Sequence, residues 1–521
     1  MAADQQRSIL AIDLGTSGVK LALVTVEGEI MASAVEPLEV RILPGGGAEQ
    51  DPETWWVAIV RAAHRVMAGA GVDSSDVVGT GCSSQWSGTI PLDAEGRHLM
   101  NAIIWMDSRG APHVQRVNAG FPSVQGYGLW KLVTWIRKTG GAPGHSGKDP
   151  IAHILFVRDE LPAIYERTAV FLEPRDWINF RLTGRIASSF DCITLHWVAD
   201  TRDVNAVHYD DRLLKMAGLD RAKLPELVPP ATVLGTLAPA AAGELGLPES
   251  VQVVSGAPDI MAAAIGAGAV RDFDAHLCIG TSSWLICHVP FKKTDLFHNM
   301  ASLPSAIPGR YLLADEQESA GVCLATLKDR ILYPGEISTD RYPEMLAMAE
   351  AVPAGSEGLI FTPWLNGERT PVDDRTLRGG FFNQSLETTR AHMVRAVLEG
   401  VAFNSRWLRV YVEKFIKRKL EAITMVGGGA RSDLWCQIHA DVLDRTILQA
   451  RKPVMANARG AAMQAAVALG HLSWDDVADR APIARAFEPD PSARARYDEL
   501  FPAFLDLYKR TRKINARLNR G

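Results

Sequence analysis

Several common sequence signatures are absent from the chain, and each absence excludes a class of protein. No G-x-x-x-x-G-K-[ST] motif occurs, and the glycine loop at residues 427–433 lacks the G-x-G-x-x-G spacing. P-loop and dinucleotide-binding Rossmann domains are therefore disfavoured. No G-x-S-x-G elbow is present, which leaves serine-hydrolase chemistry without support. The six cysteines form no C-x-x-C pair and share no metal-ligand spacing with histidine, so a zinc site or a disulfide framework is not expected.

Charge of one sign and long apolar runs are also lacking. The 55 Lys and Arg residues nearly balance the 60 Asp and Glu residues, giving a formal net charge of −5. This balance gives no electrostatic reason to expect nucleic acid or an anionic membrane as a partner. No apolar run is long enough to span a bilayer, and residues 1–7 lack the apolar core of a signal peptide. We therefore expect a cytoplasmic protein.

Two stretches of the chain share one pattern, an apolar run, a Gly-Thr-Ser turn and a second apolar run. The first covers residues 9–24 and the second covers residues 276–289. Asp13 ends the first apolar run just before its turn. A carboxylate beside free backbone N–H groups suits a phosphate paired with a divalent cation. Taken alone, the first stretch is better explained as a plain hairpin with a polar turn, because short glycine motifs are common by chance.

The repeated pattern predicts an internal duplication. At 521 residues the chain exceeds what one hydrophobic core supports, so we expect two α/β domains, 1–254 and 255–521, facing one cleft. Periodicity and turn signals predict helices at 53–67, 260–268, 389–414, 434–443 and 460–469. They predict further strands at 29–34, 77–83, 102–105, 251–255, 359–362 and 423–426.

Three more segments follow predicted strands and contain polar groups that could contact a ligand. The loop 427–433 can direct N–H groups at an anion or expose bare backbone to a flat ligand, although a tight turn explains it equally well. Asp259 follows a strand, where it is either a helix N-cap or a base that accepts a hydroxyl proton. The segment Gln85-Trp86-Ser87 offers the mixture of groups that commonly binds sugars, with a core tryptophan as the simpler alternative.

With these segments in this order, the chain resembles the FGGY family of carbohydrate kinases nearly end to end, and within it is most similar to the xylulose kinases. The matching segments are 12–20, 49–52, 55–56, 104–109, 174–177, 182–184, 259, 280–282, 367–371, 395–401 and 427–432. The resemblance implies two ribonuclease-H-like domains of the actin/hexokinase/Hsp70 ATPase type around a central cleft. It also implies ATP and Mg²⁺ as cofactors.

The resemblance also assigns roles to individual residues. Asp259 would be the catalytic base, and Asp13 would hold Mg²⁺. The residues expected to contact ATP are Thr16, Ser17, Lys20, Gly280, Thr281, Ser282, Gly428, Gly429 and Asp433. The residues expected to contact the sugar are Gln85, Trp86, Ser87, Asp107, Asp259 and Ile260.

Two departures from the family pattern fall among the residues expected to contact the sugar. The family's Gln-Met-His-Gly is replaced by Gln85-Trp86-Ser87-Gly88, and its Gly-Gly-Gly-Asp-Asn ends here in Asp259-Ile260.

The expected activity is ATP-dependent phosphorylation of a small ketose, such as a pentulose, at a primary hydroxyl. Ribulose, erythritol, another polyol and glycerol are alternative substrates, and a non-catalytic sugar sensor is an alternative function. An Hsp70-like ATPase is disfavoured, because the tail after Leu469 is too short for a peptide-binding domain. A homodimer is left open.

Overall fold

The computed structural model describes residues 7–336 and 340–519. The α-helices in chain order are α1 Pro52–Ala70, α2 Ala111–Asn118, α3 Leu129–Thr139, α4 Pro150–Glu160, α5 Pro162–Arg167, α6 Pro174–Thr183, α7 Asp211–Ala217, α8 Pro239–Leu245, α9 Asp259–Gly266, α10 Gly321–Thr326, α11 Tyr342–Glu350, α12 Arg390–Ile416, α13 Asp433–Leu443, α14 Ala456–Ala468, α15 Trp474–Asp479 and α16 Pro491–Leu518.

The strands in chain order are β1 Ser8–Leu14, β2 Gly18–Thr25, β3 Ile30–Pro37, β4 Arg41–Leu43, β5 Gly47–Gln50, β6 Val77–Ser84, β7 Ile90–Leu92, β8 Ala102–Ile103, β9 Ser123–Val124, β10 Tyr127–Gly128, β11 Val170–Leu172, β12 Ala187–Ser189, β13 Ala199–Asp200, β14 His208–Tyr209, β15 Glu226–Val228, β16 Val233–Thr236, β17 Gln252–Pro258, β18 Ala275–Ile279, β19 Ser283–Val289, β20 Thr294–Asp295, β21 Met300–Pro304, β22 Tyr311–Ala314, β23 Ile360–Thr362, β24 Gly380–Phe382, β25 Ala422–Val426, β26 Thr446–Ala450 and β27 Ile483–Phe487.

Two large mixed sheets organise the molecule. The first has the order β16-β17-β6-β1-β2-β3, and the second has the order β20-β21-β22-β19-β18-β25-β26-β27. In the first sheet, β1 pairs antiparallel with β2 and parallel with β6. In the second, β18 pairs antiparallel with β19 and parallel with β25. The two sheets therefore repeat one arrangement around equivalent central strands, as the two Gly-Thr-Ser stretches predict.

The observed elements differ from the predicted ones mainly at their ends. The predicted strand 102–105 is only Ala102–Ile103. The strand predicted at 251–255 continues to Pro258, and along its length it pairs with β6 of the first sheet. The division proposed between residues 254 and 255 thus falls inside a strand of the first sheet. Periodicity does not mark where a buried strand stops when small residues such as Gly256 and Ala257 prolong it.

A third apolar cluster joins the two sheets. It contains Ile9 and Ala11 of β1, Ile286 of β19, and residues of the helices α9 and α14. The two helices cross at close range: a Cβ on Gly266 would lie 1.8 Å from the carbonyl oxygen of Ala456. A Cβ on Gly460 would lie 1.9 Å from the carbonyl oxygen of Ala262. Only glycine allows the two backbones to approach this closely.

This helix crossing gives a stability prediction. Gly460→Ala forces the two helices apart, and we expect the free energy of unfolding to fall by about 1–3 kcal/mol, the usual cost of overpacking a core. Gly243→Ala is the matched control, because Gly243 is exposed on helix α8 and a Cβ there would have no heavy atom within 4 Å. For Gly243→Ala we expect the free energy of unfolding to rise by about 0.5–1 kcal/mol, because alanine has a higher helix propensity than glycine. Urea denaturation followed by circular dichroism measures both changes, and equal stabilities would contradict the close crossing.

The second domain is built around its long helix. On α12, Val397, Val401, Leu408 and Val412 are buried, whereas Met393 is only partly buried. The charged tail of the chain contains the helix α16, which packs through side chains such as Phe504. No α-helix within residues 7–336 and 340–519 is both long enough and apolar enough to cross a membrane.

Candidate active site

Asp13 lies near the end of β1, with 1% of its surface exposed. Its Oδ2 accepts a hydrogen bond from Nζ of Lys20, its cross-strand partner on β2, at 3.0 Å. The negative charge of Asp13 is the main cause that raises the pKa of Lys20. Its Oδ1 lies 3.4 Å from Nδ2 of Asn457, at the start of α14. Sequence reasoning missed Asn457, since no motif marks an asparagine so far along the chain.

The first Gly-Thr-Ser turn is fixed by side chains from the sugar-side segments. Thr16 Oγ1 donates to Oε1 of Gln85 at 3.2 Å and accepts from Nε1 of Trp105 at 2.9 Å. Gln50 Nε2 donates to the carbonyl of Thr16 at 2.8 Å, while Ser17 is exposed at the tip. Gln50 and Trp105 lie in segments that match the family, yet their role in holding the turn was not predicted. The turn and the predicted sugar-binding segment are therefore one connected structure.

The second turn leaves β18 in the position equivalent to the first. Gly280 N–H donates to the carbonyl of Ser282 at 2.9 Å, and the Thr281 side chain is exposed. The N–H groups of Ala320 and Gly321 donate back to the carbonyls of Thr281 and Gly280 at 2.9 and 2.8 Å. The start of α10 therefore holds this turn in shape. An exposed hydroxyl on a fixed turn is suited to contact a phosphate.

Asp259 is the first residue of α9, directly after β17. The N-cap position is occupied by Pro258, so the capping alternative does not describe this residue. One carboxylate oxygen, Oδ1, accepts from the N–H of Ile260 at 2.8 Å. The side chain is partly exposed, and no hydrogen bond to Oδ2 is formed within the described residues. That oxygen is available to a substrate hydroxyl.

The surroundings of Asp259 set its protonation. Burial raises the pKa of Asp259 to about 7, and the negative charges of Asp13 and Glu316 act in the same direction. The N–H of Ile260 and the positive charge of Lys20 oppose this rise. The predicted base, the predicted metal ligand and the predicted phosphate contact therefore lie in one electrostatically coupled group. A carboxylate with a pKa near neutrality can both accept and release a proton.

The predicted sugar-binding segment lies at the end of β6. Gln85 is buried, and Nε1 of Trp86 donates to the carbonyl of Cys192 at 2.9 Å. Ser87 adopts a φ of 70°, its N–H donates to Oε2 of Glu173 at 2.9 Å, and its hydroxyl donates to the carbonyl of Lys148 at 2.7 Å. Trp86 thus has a satisfied indole N–H and a partly buried ring. Ser87 serves here to connect two loops.

Trp86 and Ile260 share one environment. Both side chains are partly buried and pack against the apolar cluster that joins the two sheets. Trp86 and Ile260, which stand at the two departures from the family pattern, therefore contact the same apolar cluster.

Asp107 differs from its predicted role as a sugar contact. It is fully buried, and its Oδ2 accepts from the N–H of Ala48 at 2.9 Å. Both oxygens also accept from Nε of Arg109, at 3.2 and 2.9 Å. In this structure Asp107 fixes the loop after β8 and has no surface to offer a sugar. The sequence motif marks the residue but not the direction of its side chain.

The third glycine loop follows β25, and its glycines serve different purposes. Gly427 has a φ of 86°, and a Cβ there would lie 2.6 Å from the carbonyl of Ile279. A Cβ on Gly429 would lie 2.4 Å from Cγ2 of the same isoleucine. Gly428 has a φ of −62° and is exposed, and a Cβ there would have no atom within 4 Å. Protein packing thus requires glycine at 427 and 429, while only a ligand would require it at 428. Gly429 packs against Ile279, and its contact with adenosine stays a prediction.

The open face at Gly428 gives a paired prediction. Gly428→Val meets no protein atom and keeps an ordinary backbone conformation, so we expect the free energy of unfolding to change by less than about 0.5 kcal/mol. If a nucleotide lies on this face, its affinity falls at least tenfold. Gly429→Ala is the control, because it clashes with Ile279 and should lower stability by about 1–3 kcal/mol. Calorimetric titration with ADP and urea denaturation separate the two effects, and unchanged ADP binding in Gly428→Val would refute the assignment.

Asp433 begins α13 beside this loop. Its Oδ1 accepts from Nε2 of Gln449 at 2.9 Å, and its Oδ2 forms an ion pair with Arg485 at 3.1 Å. The ion pair is largely exposed, so it contributes little to stability. The carboxylate of Asp433 is therefore already engaged by protein groups, and its contact with ATP stays a prediction.

Family models match most of the chain. The model described as the FGGY family of carbohydrate kinases, N-terminal domain, matches residues 8–266, and that of the C-terminal domain matches residues 275–469. The chain is an FGGY-family carbohydrate kinase. This FGGY kinase is therefore an enzyme with the two-domain actin/hexokinase type of fold, and both of its matched domains contribute to the site described above.

Individual relatives agree with the family. This FGGY kinase is 29% identical over 518 residues to a xylulose kinase of Bacillus subtilis, covering 98% of each chain. It is 30% identical over 517 residues to a xylulose kinase of Escherichia coli, covering 97% of this chain and 100% of the other. A gluconate kinase structure from Lactobacillus acidophilus superposes with a TM-score of 0.84 at 24% identity, covering 98% and 99% of the two chains. At this identity the structural likeness shows the fold alone.

Proposed function

We propose that this FGGY kinase transfers the γ-phosphoryl group of ATP to a primary hydroxyl of a small sugar, with Asp259 as the general base. The observation that carries the proposal is the position of Asp259 at the end of β17, with one free carboxylate oxygen and a pKa of about 7. A base with this pKa is half deprotonated at neutral pH, and it can take the hydroxyl proton as the oxygen attacks phosphorus.

The other residues of the group support the same reaction. Lys20 carries a positive charge beside Asp13 and is electrostatically coupled to Asp259. In the proposal, Thr16, Ser17 and Lys20 lie along the transferring phosphoryl group, and Thr281 and Ser282 bind the neighbouring phosphate. Since phosphoryl transfer needs little covalent chemistry from protein, positioning and charge stabilisation provide most of the rate acceleration.

The residues at the end of β1 fit a magnesium ion carried with ATP. Mg²⁺ is usually bound by one or two carboxylates together with water and phosphate oxygens. Asp13 provides one such carboxylate, and no cluster of three or more potential metal ligands exists among residues 7–336 and 340–519. This donor set suits an ion shared with phosphates better than a site made of protein alone. Asp13 would hold the ion, which would neutralise phosphate charge when bound.

The proposed sugar is a ketose such as xylulose, because relatives that are 29% and 30% identical to this chain over nearly its whole length are xylulose kinases. Gln85, Trp86 and Ile260 line the sugar side in this proposal. The apolar wall formed by Trp86 and Ile260 can change which sugar is preferred, since one contact worth about 1.4 kcal/mol in the transition state changes the rate tenfold. Ribulose, erythritol and glycerol are the other candidates.

A screen of sugar-stimulated ADP release tests the proposal. Purified protein with ATP and Mg²⁺ is mixed with pentuloses, hexuloses, tetritols, glycerol or gluconate. We expect at least one acceptor to raise ADP release tenfold or more above the sugar-free rate. The sensor alternative predicts sugar binding in a thermal-shift assay without any increase in ADP release, and that outcome would reject the kinase proposal.

A further inference from the structure

Lys148 lies in the loop between α3 and α4, at the edge of the cleft. Its carbonyl accepts from the hydroxyl of Ser87 at 2.7 Å, which ties the loop to the sugar-side segment. Its Nζ lies 5.7 Å from the centroid of the Trp105 ring. Trp105 in turn donates to Thr16 of the first Gly-Thr-Ser turn at 2.9 Å. The ammonium group of Lys148 is therefore placed beside the structure that the proposed function assigns to phosphate binding.

The charges that act on Lys148 include residues of the second matched domain. Arg369 forms ion pairs with both Glu316 and Glu318. Burial raises the pKa of Glu316, and the side chain of Ser282 in the second Gly-Thr-Ser turn acts in the opposite direction. Lys148 is electrostatically coupled to Arg369, Glu316 and Glu318.

Lys148 itself has no partner of opposite charge. Across residues 7–336 and 340–519, no carboxylate lies within 4.0 Å of its Nζ, and Nζ donates no hydrogen bond. The two nearest glutamates are already paired with Arg369. Arg375, another cation that acts on Lys148, is likewise without an ion pair over the same residues. Lys148 and Arg375 are therefore two cations without an ion-pair partner within the part of the chain that the structure describes.

The surroundings of Lys148 oppose its charge. Burial lowers its pKa, and the positive charges of Arg369 and Arg375 lower it further, while Glu318 and Glu316 act in the opposite direction. A partly buried ammonium group without a partner costs free energy, and a bound anion would reverse that cost. Lys148 is partly exposed rather than sealed in the core, so such an anion can reach it.

We propose that Lys148 binds an anionic oxygen group in the cleft, either the transferring phosphoryl group of the nucleotide or a carboxylate carried by the sugar. The inference rests on the proposed kinase function for the identity of these two sources. Lys148 would be a specificity-determining residue in the second case and a phosphate-binding residue in the first. Both cases require a positive charge at this position, and neither requires a lysine for packing.

Three variants and three probes test the proposal. The variants are Lys148→Met, which removes the charge, Lys148→Arg, which keeps it, and Lys215→Met, which removes an exposed charge from α7 of the same domain. The probes are the magnesium complex of a non-hydrolysable ATP analogue, gluconate, and glucitol, which lacks the carboxylate of gluconate. Isothermal titration gives dissociation constants, so the readout does not depend on turnover.

We expect Lys148→Met to weaken binding of the ATP analogue or of gluconate at least tenfold, about 1.4 kcal/mol. The dissociation constants of Lys148→Arg should stay within threefold of the wild-type values. Those of Lys215→Met should equal the wild-type values. A loss confined to the ATP analogue identifies the phosphoryl group, and a loss confined to gluconate identifies a carboxylate. Unchanged binding of both anions, or an equal loss for glucitol and gluconate, would overturn the proposal. If no sugar stimulates ADP release but Lys148→Met still weakens anion binding, the inference stands and the proposed kinase function fails.

Discussion

Asp259→Asn is expected to lower kcat for sugar phosphorylation by about 10³-fold, within the range that a general base contributes. Asparagine has nearly the same volume as aspartate, and its Oδ1 can still accept from the N–H of Ile260. The start of α9 should therefore keep its structure, and the thermal midpoint should move little. What is lost is the oxygen that takes the hydroxyl proton. Steady-state ADP release with the best acceptor measures the effect.

The pH dependence separates this role from a structural one. Because the base must be deprotonated and its pKa is raised to about 7, wild-type kcat/KM should rise with pH and level off above neutrality. At pH 6 about one tenth of the plateau value remains, from the fraction deprotonated one unit below the pKa. The residual activity of Asp259→Asn should lack this rise. Asp506→Asn, on the exposed face of α16, is the control and should keep the wild-type profile. An Asp259→Asn variant with the wild-type profile would exclude Asp259 as the base.

Asp13→Asn is expected to have the second largest effect, a fall of about 10²-fold in kcat with a higher requirement for Mg²⁺. Asparagine removes the negative charge that pairs with Lys20 at 3.0 Å and that would hold the ion. The loss falls in the range seen when one electrostatic contact to a transition state is removed. The KM for the sugar should change less than threefold, because Asp13 lies on the phosphate side of the cleft. Titration of activity with Mg²⁺ shows both changes.

Asn457→Ala provides the comparison for Asp13→Asn. The amide of Asn457 contacts Asp13 only at 3.4 Å, so its removal keeps the carboxylate and the ion pair with Lys20. We expect kcat of Asn457→Ala to fall by less than tenfold. If Asp13→Asn keeps more than one third of wild-type kcat at the usual Mg²⁺ concentration, Asp13 does not have the role proposed for it.

The local elements of the site could be predicted from the sequence. Both Gly-Thr-Ser turns, the strand before Asp259 and the loop at residues 427–433 depend on neighbouring residues, and their patterns are short and regular. The duplication could be predicted because the same pattern occurs twice. These features need only strand alternation and turn chemistry, which nearby residues determine.

Contacts between distant segments could not be predicted in the same way. Asn457 and Asp13 are separated by 444 positions, and Gln50 and Trp105 contact Thr16 from different loops. The direction of the Asp107 side chain depends on Arg109 and on the backbone of Ala48. Such contacts depend on how the elements pack in three dimensions. No local sequence motif shows which distant residue will contact which.

The roles of individual glycines could also be predicted only in part. The sequence marks the run Gly427-Gly428-Gly429 as a ligand loop, but it does not separate the open position from the packed ones. The close crossing at Gly266 and Gly460 has no sequence signature either, because both lie in helices where alanine would have higher propensity. In each case the neighbour that excludes a side chain comes from a distant part of the chain.

The most direct test of Asp259-dependent transfer measures both products in one reaction. ADP and phosphorylated sugar are quantified over time with the best acceptor, for wild type and for Asp259→Asn. The account predicts equal amounts of the two products in wild type and a rate about 10³-fold lower for both in the variant. ADP formed without phosphorylated sugar, or phosphorylated sugar formed by the variant at the wild-type rate, would contradict it.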